Sequence, residues 1–298
     1  MQPRPFDGAD RPAIRALLAE AERTLAVGPH PDRARLDAEA LFLHLVRRNV
    51  PGRNRAWLVT HWDTPTMPHE APQLQALVDR RFAGEPIQYI TGETEFYGLP
   101  FRVTPDVLIP RPETEHLVEK VMELAGHFPA PRIVDVGTGS GAIAVALANR
   151  LPHASIAAID LSSAALAVAR ENAALNGVAA RVRFFEGDLL APVAAEMFDI
   201  VVSNPPYVPH LDRDSLSVEV REYEPPLALF AGDDGLEVYR RLIPAAFAVL
   251  APGGLIALEI GFGQSAAVGE LLTRTHFEQV EFVPDLQGIA RVACGRRP

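Results

Sequence analysis

Ile133-Val134-Asp135-Val136-Gly137-Thr138-Gly139-Ser140-Gly141 decides the fold of this 298-residue chain. A short apolar run passes through three glycines into the helical pattern that begins at Ala142. Glycines at such a junction let the backbone turn sharply and approach a ligand, beside the N–H groups of a helix N-terminus. Outward from this stretch, strand and helix patterns alternate. Strands are expected at Ile133–Val136, Ser155–Asp160, Val182–Glu186, Phe198–Ser203, Leu255–Ile260, Phe277–Val283 and Ile289–Cys294. Helices are expected near Ala142–Asn149, Ala164–Asn176, Gly235–Val249 and Ser265–Arg274. Such alternation predicts an α/β fold, a seven-stranded and mostly parallel sheet covered on both faces. The last two strands are separated only by Pro284-Asp285-Leu286-Gln287-Gly288, so the last strand is expected to run antiparallel.

Upstream the period changes. From Pro12 to Phe82 the pattern predicts a small helical bundle. Ile14, Leu17, Leu18 and Leu25 mark one apolar face; Leu36, Ala40, Leu43 and Val46 mark a second; Leu74, Leu77, Val78 and Phe82 mark the last helix. Pro51-Gly52 punctuates before Arg55-Ala56-Trp57-Leu58, and Arg47, Arg48, Arg53 and Arg55 gather near that turn. From Ile87 to Ile109 the reading is β-like: Tyr89-Ile90-Thr91, then Glu95 to Val103 with turn chemistry at Gly98-Leu99-Pro100, a β-hairpin linker. Pro112 suits the first turn of a helix carrying Leu117, Val118, Val121 and Leu124. The expected organisation is a helical domain over 1–85, a linker over 86–110 and a larger domain over 111–298.

Composition excludes several classes. With 48% hydrophobic and 22% charged residues the chain is ordinary globular protein and not disordered. No stretch reaches the roughly 18 consecutive apolar residues of a membrane span, and Met1 to Asp7 lacks the apolar core of a secretory leader. One cysteine, Cys294, excludes internal disulfides and any Cys-cluster metal site, so a cytoplasmic location and no metal are expected. The net charge of −10 argues against a broad nucleic-acid surface. The charge is uneven: residues 1–85 hold 12 Arg against 11 acids, and the rest hold 16 Lys and Arg against 27 acids. A neutral-to-basic front on an acidic body suggests two units with different tasks.

The glycine loop alone leaves the ligand open. Gly137-x-Gly139-x-x-Ala142 fits a dinucleotide fingerprint, and Asp160 at the end of the second strand suits two ribose hydroxyls in either a nicotinamide or an S-adenosylmethionine site. Three features favour S-adenosylmethionine. Asp135, two residues before the first glycine, would repel a pyrophosphate but tolerates an ammonium and a sulfonium. Asp188, in Glu186-Gly187-Asp188-Leu189, is placed to accept from an adenine amino group, with Leu189 against the base. Asn204-Pro205-Pro206-Tyr207 follows the strand Phe198–Ser203 directly, at the end where open α/β sheets bind ligands. One amide, rigid carbonyls and an aromatic ring suit a planar –NH2 group: acceptors for its two hydrogens and a face to stack on.

With these residues assembled, the chain resembles the class I S-adenosylmethionine-dependent methyltransferases. More narrowly it resembles the peptide chain release factor N5-glutamine methyltransferases, the HemK/PrmC family. The resemblance spans nearly the whole chain and rests on Leu108-Ile109-Pro110-Arg111-Pro112-Glu113-Thr114-Glu115, Asp135 to Gly141, Asn204 to Tyr207, and Arg221-Glu222-Tyr223-Glu224-Pro225 with Gly232-Asp233-Asp234-Gly235. Leu189 stands where some relatives carry an aromatic residue. The resemblance implies a Rossmann-like catalytic domain and, as substrate, the glutamine of the Gly-Gly-Gln motif in class 1 release factors. It implies that Asp135, Gly137, Thr138, Gly139, Ser140, Gly141, Asp160, Asp188, Leu189 and Asn204 bind the cofactor. It also implies that Asn204, Pro205, Pro206 and Tyr207 hold the glutamine, with Asn204, Pro205 and Tyr207 catalytic.

In the expected mechanism the Asn204 oxygen and the Pro205 carbonyl accept the two N–H bonds, while Tyr207 packs on the amide plane. Arg111 and Glu113 either line the cofactor mouth or belong to an ordinary helix start. Adenine-N6 methyltransferases share the Asn-Pro-Pro-Tyr chemistry, but the acidic body and the lack of an added recognition domain disfavour DNA. A ribosomal-protein glutamine methyltransferase, a nicotinamide oxidoreductase and a non-catalytic binding module compete with the release-factor reading. No membrane and no direct nucleic-acid partner is expected.

Overall fold

The computed structural model describes residues 11–50 and 52–298, apart from the side chains of Arg48 and Asn49. Arg48 of the basic turn, Pro51, and Met1 to Asp7 therefore lie outside the described residues. The chain divides into two compact units between Thr91 and Gly92.

The first unit holds α1 (Ile14–Leu25), α2 (Ala34–Asn49), α3 (Arg55–Thr60), α4 (Glu70–Phe82) and α5 (Ile87–Thr91). Ile14, Leu17, Leu18 and Leu25 are buried, as the spacing predicts. On α2 the expected face is only partly buried: Leu43 and Val46 are in the core but Leu36 is 49% exposed, and the burial extends instead over Ala34, Ala38, Leu41, Phe42 and Leu45. On that extended side Asp37 meets Arg81 of α4 at 2.7 Å, both 2% exposed. Leu36 lies on the opposite side of the helix from that arc. Phe82 likewise stays exposed while Leu74 and Val78 fill the core. At the start of α3, Asn54 Oδ1 accepts from the Trp57 N–H. The basic turn is partly neutralised, because Arg35 and Arg55 both pair with the buried Glu39 and Arg53 lies over the Trp57 ring.

Tyr89-Ile90-Thr91, expected as strand, is helical. Pro86 O accepts from the N–H groups of Tyr89 and Ile90, and Ile90 is buried in the bundle core. Burial of the apolar side chain outweighs the β preference of these residues.

The second unit opens with a hairpin of β1 (Glu93–Phe96) and β2 (Leu99–Arg102). Phe96 faces Leu99, so the turn is Tyr97-Gly98, both with positive φ (54° and 72°), and not Gly98-Leu99-Pro100. A two-residue loop with that handedness matches the twist of the strands it joins. Then follow α6 (Thr114–Ala125), β3 (Arg132–Val136), α7 (Ala142–Arg150), β4 (Ser155–Asp160), α8 (Ser163–Leu175), β5 (Val182–Glu186) and β6 (Phe198–Ser203). The chain ends with α9 (Val218–Tyr223), α10 (Glu237–Val249), β7 (Leu250–Glu259), α11 (Ser265–Arg274), β8 (Glu278–Pro284) and β9 (Ala290–Arg296).

The seven-stranded sheet has the order β5-β4-β3-β6-β7-β9-β8. Its first five strands are parallel; the last strand, β9, is antiparallel to both its neighbours. One face is covered through Leu117, Val121, Leu147 and Ala173 of α6, α7 and α8. The other is covered through Leu242, Ile243, Val268 and Leu272 of α10 and α11. From β3 the order runs outward to β4 and β5 on one side and to β6 and β7 on the other. A crevice opens at such a reversal, at the carboxyl ends of the strands.

Candidate active site

The crevice at the ends of β3, β4 and β6 is a cleft of about 370 Å³, within the range of small-molecule sites. Gly137 and Gly139, with φ of 72° and 54°, form part of its lining, and an added Cβ at either would meet nothing within 4 Å. The space beside their backbone is therefore open to a ligand. Asp160 ends β4 on the same wall. Its Oδ2 accepts from Gly139 N at 2.8 Å and its Oδ1 from Ser162 N at 2.9 Å. Each carboxylate oxygen keeps acceptor capacity, which suits a pair of ribose hydroxyls. Leu189 adds an apolar side chain from a left-handed backbone (φ 49°), a conformation whose cost is typical of binding sites. A glycine cradle, a carboxylate at a strand end and an apolar wall fit the nucleoside and methionine arm of S-adenosylmethionine.

Asp135 is placed differently from the expectation. It is fully buried beneath the loop, where its Oδ2 accepts from Thr138 Oγ1 (2.6 Å) and Ala144 N (3.2 Å). Its Oδ1 has no hydrogen-bond partner among the described residues. Burial pushes its pKa up to about 7 against the pull of those two donors. Asp135 thus braces the loop from below and does not line the cleft. Thr138 and Ser140 are also buried. Asn172 of α8 ties this loop to the hairpin: its Nδ2 donates to Ser140 O and Arg102 O, and its Oδ1 accepts from Arg102 N. Gly141 begins α7 against Ala169.

Asp188 lines the cleft, but its carboxylate is engaged by Arg241 of α10, the two side chains each about half exposed. Arg241 itself forms part of the wall; no pattern in the sequence marks it.

At the end of β6, Ser203 Oγ donates to Val136 O at 2.6 Å and locks β6 to β3 below the next loop. Asn204 lines the cleft and its Nδ2 donates to Thr114 Oγ1 at 3.1 Å. The Asn204 oxygen takes no hydrogen bond from the described residues. Pro206 is on the cleft wall, whereas Pro205 is buried. Tyr207 departs from the expectation of a ring stacked in the cleft. Its hydroxyl donates inward to Glu259 Oε1 at 3.4 Å, its ring packs on the core, and its carbonyl accepts from Gln264 Nε2 at 3.0 Å. Burial raises its phenol pKa, with Glu259 adding to the rise.

Glu259, the last residue of β7, is 3% exposed and its Oε2 has no hydrogen-bond partner among the described residues. Burial pushes its carboxyl up to about 7, while the hydroxyls of Thr114 and Tyr207 pull the other way. Thr114, Glu259 and Gln264 are therefore parts of the site that sequence patterning misses. The signal present is an acid closing the apolar run Leu255-Ile256-Ala257-Leu258.

Arg111 does not line the cleft. Its Nη2 donates to both oxygens of the buried Glu224 at 2.6 Å, clasping the stretch before α6 to the loop after α9. Burial raises the Glu224 pKa against the pull of that guanidinium. Glu113 sits immediately before α6 and raises the pKa of Glu259 from there. Cys294 is buried, its thiol pushed up to about 12 by burial, and offers no nucleophile near neutrality. No helix among the described residues is long and apolar enough to cross a membrane.

Residues 16–92 match the family described as PrmC N-terminal domain, and residues 113–220 match the one described as Methyltransferase small domain. The chain is similar to a release factor glutamine methyltransferase of Geobacter sulfurreducens, at 45% identity over 89% of this chain and 90% of that protein. It is equally similar, at 45%, to one of Moorella thermoacetica, over 92% and 95%. Among solved structures, the hMettl16 catalytic domain in complex with MAT2A 3'UTR hairpin 6 aligns with a TM-score of 0.55 at 17% identity, over 82% of this chain and 93% of that one. A T. thermophilus 16S rRNA N2 G1207 methyltransferase in complex with AdoMet and guanosine aligns with a TM-score of 0.52 at 19% identity, over 69% and 50%. At those identities the structural likeness establishes the fold.

Proposed function

This chain belongs to the release factor glutamine methyltransferase family, and we propose that its substrate is the glutamine of the Gly-Gly-Gln motif in class 1 release factors, methylated on the side-chain nitrogen N5. It is an S-adenosylmethionine-dependent methyltransferase. The observation that carries the substrate reading is the Asn204 carboxamide at the cleft, its nitrogen spent on Thr114 and its oxygen left to accept. Among substrates with a planar –NH2 group, the names of the relatives favour a release factor over a ribosomal protein or an adenine base.

S-adenosylmethionine, when bound, supplies a methyl carbon made electrophilic by its sulfonium. The residues of this chain act on the glutamine. An amide nitrogen is a weak nucleophile because its lone pair is delocalised into the carbonyl. The Asn204 oxygen and the Pro205 carbonyl accept its two N–H bonds, which orients the nitrogen and stabilises the positive charge growing there. No strong base is required, as the nitrogen becomes acidic only late and then sheds its proton to water. Tyr207 holds the loop to β7 and Gln264 instead of stacking on the substrate.

On the cofactor side, Gly137, Gly139, Asp160, Asp188 and Leu189 line the site, while Asp135, Thr138, Ser140 and Gly141 fix the loop's shape. Residues 1–85 serve to dock the release factor, a role supported by their charge contrast with the rest of the chain, and the protein works in the cytoplasm. Replacing Asn204 with Ala is expected to lower kcat on a recombinant release factor by about 10² or more, the loss typical for one preorganised transition-state donor or acceptor. The methylated glutamine is mapped by mass spectrometry. A change confined to KM refutes the role given to Asn204, and a mark on another residue refutes the substrate.

A further inference from the structure

Two stretches far apart in the chain both line the cleft: residues 106–108 before α6, and Pro225, Leu227, Ala228 and Phe230 after α9. The second stretch belongs to the long segment that joins β6 to α10. Backbone bonds close the base of that segment. Val208 N donates to Leu229 O at 2.9 Å, Ala231 N to Val208 O at 3.0 Å, and His210 N to Gly232 O at 2.9 Å. Residues 211–228 leave this base as an excursion that carries α9, and a connection of that length in a compact domain is usually functional. The bonds at its base do not fix where its far part lies.

Glu224 supplies a fixed point. It follows α9, directly before the cleft-lining Pro225, and is 3% exposed. Arg111 Nη2 donates to both of its oxygens at 2.6 Å. A carboxylate taken out of water keeps its place only while a charged donor matches it. Deprived of Arg111, Glu224 must turn to water or take up a proton, and the adjoining Pro225 is released from its anchor. Arg111 stands three residues after Leu108, so a single ion pair joins the two stretches that line the cleft. Arg111 is not itself part of the lining, so its charge acts on the wall and not on a ligand. Leu227 lines the cleft and yet is 72% exposed, which leaves an apolar side chain for a bound ligand to cover.

On the reading of this cleft as the cofactor site, we propose that Arg111 and Glu224 are positioning residues for S-adenosylmethionine. Their ion pair holds the 225–230 wall at the cleft and sets how long the cofactor, and then S-adenosylhomocysteine, stays bound. Contacts made by a wall held in place are lost when the ligand leaves, so the dissociation rate carries the effect.

The test measures S-adenosylhomocysteine binding kinetics in Arg111→Met, Glu224→Gln, the double variant and Arg111→Lys. Each of the first two is expected to raise the dissociation rate about tenfold, with association changed by less than about twofold. The double variant should go no further, since either substitution alone already breaks the tie. Arg111→Lys should stay near the wild type, because one nitrogen makes both bonds. In the cofactor-free protein, amide hydrogen exchange over α9 should be faster in Arg111→Met and Glu224→Gln and unchanged in Arg111→Lys. Wild-type dissociation rates in the first two variants, or effects that add in the double variant, overturn the proposal. Faster dissociation without faster exchange over α9 also overturns it. If Arg111→Met does not fold, Glu224→Gln decides: it keeps the shape but sets an –NH2 group against the guanidinium. If Asp160→Ala binds S-adenosylhomocysteine as tightly as the wild type, the reading of the cleft as the cofactor site fails first, and the proposal with it.

Discussion

Replacing Glu259 with Gln should stabilise the fold at alkaline pH and weaken its pH dependence. Glu259 has a carboxyl raised from 4.5 to about 7, with burial as the main cause. A raised acid binds its proton more tightly in the folded state than in the unfolded one. Its contribution is present below about pH 4.5 and is lost as the pH rises to about 7. At about 1.4 kcal/mol per pKa unit, the loss is about 3 kcal/mol, a sizeable part of the 5–15 typical of a domain. A Gln at this position loses nothing over that interval. Urea unfolding of both proteins at about pH 5 and about pH 8 gives the comparison. Every other titrating group, including Asp135, is common to both and drops out of the double difference. The variant should gain about 2.5 kcal/mol on the wild type between the two conditions. Parallel stabilities would show that the Glu259 carboxyl is not held out of water, and the reasoning about its neighbours would fail with it.

Breaking the buried pair of the helical unit with Arg81→Met should cost up to about 3–5 kcal/mol, since the buried Asp37 would keep only the exposed Arg33, at 3.4 Å, as a partner; adding Asp37→Leu should recover most of it, as thermal unfolding would show. At Gly235 (φ 72°), a Cβ would lie 2.3 Å from Tyr207 O and 2.8 Å from Gln264 Nε2. Gly235→Ala should therefore shift the Asn204–Tyr207 loop and reduce kcat at least about tenfold, leaving S-adenosylhomocysteine binding near normal by calorimetry; an unchanged kcat would contradict this. Asp160→Ala removes the acceptor for Gly139 N and Ser162 N and the carboxylate proposed to hold the ribose. Calorimetry should show cofactor affinity falling by about tenfold or more, consistent with losing a charged hydrogen-bond acceptor.

The parallel sheet and its antiparallel last strand are legible in the sequence because apolar runs and helical periods report burial directly. The glycine loop, Asp160 and the Asn-Pro-Pro-Tyr stretch are legible because their chemistry is local. Sequence patterning fails where a partner far along the chain decides the outcome. Leu36 has the right spacing for a core face, yet it stays exposed, while Asp37 beside it is buried against Arg81, 44 residues further along the chain. Tyr89-Ile90-Thr91 has strand composition but is drawn into the bundle core as a helix. Tyr207 turns inward, and no local feature shows that a carboxylate waits behind it on β7. Thr114 and Glu259 read alone as a helix start and a strand end; only the fold brings Thr114 to Asn204 and Glu259 to Tyr207.

That sheet order also explains why two carboxylates are buried at all. β6 lies between β3 and β7, and it delivers Asn204 at its end. On one side Asp135 of β3 takes the Thr138 hydroxyl and braces the glycine loop; on the other Glu259 of β7 takes the Tyr207 hydroxyl at the end of the Asn-Pro-Pro-Tyr loop. Each acid reaches a pKa of about 7 because burial outweighs the donors around it. Apolar side chains in their places would make a more stable sheet, but would leave both loops to be shaped by water. Methyl transfer to an amide depends on acceptors held in advance at the nitrogen. The destabilisation is therefore confined to the strand ends beside the reacting groups, where local rules of burial give way to function.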